Sequence, residues 1–116
     1  MSKTSRSKNR GVRLADLQLR VMAEYCSSGI WVIGKIGCFR HGTIEHSTLR
    51  LLPDLTQRFE QWIELYEENS AANFNVFEFN NIGRGLTQDL KNYLGTGSIE
   101  FIPESIEGGI GETEIF

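Results

Sequence analysis

The run from Pro53 to Glu68, PDLTQRFEQWIELYEE, restricts the fold more than any other part of this chain. Leu55, Phe59, Trp62, Ile63 and Tyr66 recur at i, i+4, i+7, i+8 and i+11. At about 100° per residue these side chains fall on one face of a helix. Pro53 suits the first turn, where a missing N–H costs nothing. So apolar a face must be buried against another element. The opposite face holds Glu60, Glu64, Glu67 and Glu68 with no lysine or arginine among them. Asp54 complements the positive end of the helix, whereas Glu67 and Glu68 oppose the negative end. Like charges at i, i+4 cost a few tenths of a kcal/mol per pair. Helix stability therefore does not explain this acidic face.

A second helix is expected over residues 76–94, with Phe79, Ile82, Leu86, Leu90, Tyr93 and Leu94 as its stripe and Gly95 as its C-terminal stop. Gly83 within the stripe and Gly85 beside it each cost a helix about 1 kcal/mol relative to alanine, so close approach of a neighbouring element is the expected reason for them. Upstream, Leu17, Leu19, Val21, Ala23 and Tyr25 alternate with Gln18, Arg20, Met22 and Glu24, the period of a half-buried strand. The turn CSSG and the apolar run IWVI complete a hairpin, and SIEFIP is a closing strand ended by Pro103. Residues 34–47, GKIGCFRHGTIEHS, read as a long irregular loop with room for a short strand, of the kind that often carries function. The expected fold is α+β: a small, mainly antiparallel sheet in the order β-β-α-α-β, with two helices packed on one face. The expected organisation is a basic flexible arm at 1–13, a single domain at 14–103 and an acidic flexible tail at 104–116, whose terminal EIF could dock.

Charge is unevenly spread. Residues 1–13 contain five bases and no acid, and residues 100–116 contain five acids and no base, in a chain of net charge −3. The arm lacks aromatic residues on which a nucleobase could stack, so nucleic acid is not the expected partner. Two cysteines do not make a disulfide framework, and no run reaches the roughly 20 apolar residues of a membrane span. A cytoplasmic setting is expected, without a cofactor.

The only metal-like constellation is Cys26, Cys38, His41 and His46. Of these, only Cys38 and His41 have a chelating spacing, and the glutamate of HGTIEH directly precedes its second histidine instead of following the first. A buried cysteine with loop histidines is the expected arrangement, and no reaction is expected of the chain. Clustered carboxylates, by contrast, accelerate association with a basic partner.

The segments LRVMAEYCSSGIWV, LPDLTQRFEQWIELYEEN, FNNIGRGLTQDLKNYLG and IEFIPE together resemble small bacterial immunity proteins encoded beside polymorphic or contact-dependent growth-inhibition toxins. The resemblance spans roughly residues 17–103. It implies a non-enzymatic antitoxin that binds one cognate toxin domain in the cytosol and occludes its active site. No functional residue carries over from it. A basic nuclease cleft is the expected target. Glu60, Glu64, Glu67 and Glu68 are the expected contacts, with Glu78, Trp31, Phe39 and His41 adding specificity. Two other readings stand beside this one: a nucleic-acid-associated regulator using the arm, and a small metal or thiol enzyme using Cys38, His41 and His46. The exposed edges of so small a sheet would also allow a homodimer.

Overall fold

The computed structural model describes residues 14–34, 40–68 and 74–116. After a 3-10 turn at Leu14–Asp16 come strands β1 (Leu19–Met22), β2 (Ile30–Val32) and β3 (Gly42–Thr43), helices α1 (Pro53–Glu67) and α2 (Val76–Leu94), and strands β4 (Ile99–Ile102) and β5 (Glu114–Ile115). The strands form one sheet in the order β3-β2-β1-β4-β5. The fold is therefore α+β, and the expected β-β-α-α-β order broadly holds, with two short strands, β3 and β5, added to it. Three strand pairs are antiparallel, and the central pair, β1 with β4, is parallel. A parallel pair needs a crossover connection, here supplied by β2, β3 and both helices.

The alternation of β1 sorts its faces. Leu19 and Val21 lie beside Ile99 and Phe101 in the core, whereas Arg20 pairs across the other face with Trp31 and Glu100. Phe59 and Trp62 of α1 and Phe79, Leu86 and Leu90 of α2 cover the apolar face. Trp62 stacks on Phe79 with centroids 4.9 Å apart, and its indole N–H donates to the Phe79 carbonyl. This bond satisfies the one polar atom of a fully buried ring.

The stripe on α1 is the one its spacing requires. On α2 the stripe is rotated. Ile82 and Tyr93 are partly exposed, and Asn80, Gly83 and Thr87 take buried places instead. Asn80 compensates its burial by bonding both ways to Glu104: its Nδ2 donates to the Glu104 carbonyl and its Oδ1 accepts from the Glu104 N–H, at 3.0 and 2.9 Å. The Thr87 hydroxyl donates to the Gly83 carbonyl. Close approach accounts for Gly83, because a Cβ there would lie 2.5 Å from Phe101 and 2.7 Å from Trp62. Gly85 has open space around it and no such role.

The segment expected to be a free acidic tail is built into the fold. After a turn that brings Ile110 beside Glu104, β5 pairs with β4, and Phe116 meets Phe101 edge-on at 6.3 Å. Counting apolar residues missed this. One terminal phenylalanine and a partly exposed ion pair between Glu114 and Arg84 suffice when the neighbouring strand offers an unpaired edge.

Candidate protein-binding surface

Helix α1 turns Glu60, Glu64, Glu67 and Glu68 outward, and all four are exposed. Their directions span about 100° around the axis. Arg58, the single base on α1, lies to one side and is bound to Asp89 of α2 at 2.7 Å. Among the described residues, none of Glu60, Glu64 and Glu68 is in an ion pair. The ridge is thus uncompensated negative charge on a rigid element.

Glu67 differs from its neighbours. Its carboxylate accepts the backbone N–H of Cys26 at 2.7 Å, tying the β1–β2 turn to the end of α1. Cys26 has φ of 57°, a conformation that side chains other than glycine rarely adopt. The carboxylate that opposes the helix dipole is therefore a turn clamp. The expectation of a buried cysteine is corrected here, since Cys26 is exposed.

A second acidic group lies at the C-terminal end of α1, around Tyr66 of the apolar stripe. Burial, then Glu104, Glu24 and Tyr25 in turn, push the Tyr66 hydroxyl above its ordinary pKa. Burial first and Glu24 second push the Glu104 carboxyl upward. Tyr25 is exposed and lies 5.1 Å from Tyr66. Acids from the β1–β2 turn and from the end of β4 thus gather beside two tyrosines at the C-terminal end of α1. Sequence spacing held no signal for this gathering, because positions 24, 66 and 104 meet only through the tertiary fold.

The other expected contacts scatter. Glu78 is exposed in the first turn of α2, where its charge suits the helix dipole and its N–H donates to Asn75 at the cap. Trp31 does not join the ridge. It lies on the far face of the sheet, half-buried, with its indole N–H donating to the Met22 carbonyl. His41 is exposed. His46 is held inward, a ring nitrogen 2.8 Å from the Ser28 carbonyl. Phe39 and Cys38 lie outside the described residues. Among the described residues no group of three or more histidine, cysteine or acidic side chains is placed to hold a metal ion.

The concavities formed by described residues include these two. A cleft of about 430 Å³ at one end of the sheet is lined by Asp16, Gln18, Thr96, Ser98 and Glu100, among others. Glu100 there is occupied by Arg20 at 2.8 Å. The second is a groove of about 120 Å³ between α1 and α2, lined by Leu65, Phe74, Asn75, Glu78, Phe79 and Ile82. Leu65, an apolar residue standing outside the stripe of α1, forms its α1 side. No helix among the described residues is long and apolar enough to cross a membrane. Comparison with protein-family models, with curated proteins and with solved structures finds no match to this chain.

Proposed function

We propose that this chain is an immunity protein: a non-enzymatic, cytoplasmic binding protein that neutralises a cognate bacterial toxin domain, a nuclease with a basic cleft being the target its charge suits best. The observation that supports this most directly is the uncompensated ridge of exposed Glu60, Glu64 and Glu68. Exposed carboxylates on a rigid helix offer negative charge where a nuclease holds phosphates, and their summed field steers encounter with a basic groove. Steering needs no cofactor. Glu67 takes part as the residue that fixes the turn beside the ridge.

The test is growth protection. The reading frame adjacent to this protein's gene is expressed in a laboratory host, alone and together with this chain. The expected result is growth arrest relieved by co-expression. Replacing Glu60, Glu64 and Glu68 together by lysine should weaken binding at least tenfold, since like charges facing each other across an interface cost several kcal/mol. Full protection by the triple variant would place the interface elsewhere. Failure of the wild type to relieve the arrest would remove the reading altogether.

A further inference from the structure

We infer that the groove between α1 and α2 is the anchor site of the partner, and that its occupant is one branched apolar side chain flanked by lysine or arginine. The inference rests on the reading of α1 as a protein-binding surface. Leu65 is 46% exposed and Ile82 37% exposed, at the lip of a groove whose floor is Phe74 and Phe79. Its volume of about 120 Å³ suits a single side chain. Ligand pockets for drug-sized molecules run to roughly 300–1,000 Å³.

The rim decides the charge of the occupant. Glu64 precedes Leu65, Glu68 follows it by three positions on the same side of α1, and Glu78 lines the groove from α2. Each base on the two helices is matched or remote. Arg58 is held by Asp89, and Arg84 by Glu114. Lys91 lies 13 positions beyond Glu78, about 20 Å along the helix. An apolar centre inside an acidic rim matches the layout of a binding hot spot, where a desolvated anchor is ringed by polar contacts. Charge complementarity therefore favours a basic partner segment over a second copy of this chain, whose own α1 ridge would repel the rim.

The experiment titrates methyl- and amide-labelled protein with two synthetic peptides, acetyl-Lys-Lys-Leu-Lys-Lys-amide and its twin with glycine replacing leucine, followed by NMR at low and high salt. The expected result is movement of the Leu65 and Ile82 methyl signals with the leucine peptide only. Binding of the glycine twin should be about tenfold weaker, the scale of one buried aliphatic side chain. High salt should weaken both. Leu65→Ser, at a half-exposed position that leaves the core intact, should erase the difference between the peptides.

Equal binding of the two peptides at the glutamates overturns the anchor site and leaves the acidic ridge standing. Leucine-dependent binding that ignores salt overturns the basic occupant. No response to either peptide overturns both this inference and the reading beneath it. A concentration-dependent dimer in sedimentation, lost in Leu65→Ser, assigns the groove to a second copy and overturns the inference.

Discussion

At the residue scale, Gly83 shows how one absent methyl sets the spacing of three elements. Alanine would gain about 1 kcal/mol of helix propensity in most positions. Here its Cβ would stand 2.5 Å from the Phe101 ring and 2.7 Å from Trp62. Both rings are fully buried, so neither can swing away. Overpacking of a filled core costs about 1–3 kcal/mol, and contacts as short as 2.5 Å belong to the upper part of that range, above the propensity gain. Gly83→Ala should lower the melting temperature by several degrees, at about 4 °C per kcal/mol, as read by thermal denaturation. A melting point equal to or above that of the wild type would show that α2 can retreat from the sheet. The packing role of this glycine was legible in the sequence because it interrupts an apolar stripe. The burial of Asn80 was not, since its partners are the backbone atoms of Glu104, 24 positions downstream.

At the element scale, the short strand β5 holds its place through few contacts, and one of them titrates. Arg84 on α2 bonds both oxygens of Glu114 at 2.8 and 2.7 Å and lies 5.9 Å from the Phe101 centroid. The hydrogen bonds from Arg84 hold the Glu114 carboxyl below its ordinary pKa, against a smaller opposing effect of burial. A folded-state pKa below the unfolded one contributes stability above the unfolded value and loses it as pH falls through the folded value. Glu114→Gln should therefore destabilise the protein at neutral pH. The cost should stay under about 1 kcal/mol, because both partners are about one-third exposed. The deficit should shrink in acid, and melting curves at pH 7 and at pH 3 provide the comparison. A deficit that persists unchanged in acid would show that packing, not charge, holds β5. Periodicity revealed both helices and the first hairpin, since each is a local pattern. It did not reveal β3 or β5, two-residue strands whose existence depends on the edges of their neighbours.

At the scale of the whole molecule, the acidic end beside Tyr66 adds a pH response opposite in sign to that of Glu114. Glu104 has its carboxyl pushed up by burial and by Glu24. Its contribution to stability is complete below the unfolded pKa and is lost as pH rises through the higher folded value. Glu104→Gln should accordingly melt higher than the wild type at neutral pH, with the gap closing in acid, while the backbone bonds to Asn80 remain. A neutral-pH melting point no higher than that of the wild type would place Glu104 in ordinary solvent. The exposed glutamates of α1 were legible from one helix wheel. The groove and the Glu24–Tyr66–Glu104 gathering were not, because they join segments remote in sequence.

The parallel pairing of β1 with β4 also has a consequence in time. Arg20 and its partner Glu100 are 80 positions apart, and synthesis proceeds at roughly 5–20 residues per second. The innermost strand of the sheet therefore waits on the order of 4–16 s on the ribosome with one flank unclaimed. Until β4 emerges, only the local hairpin with β2 shields it, which makes the newborn chain most prone to stray pairing just before its sheet can close.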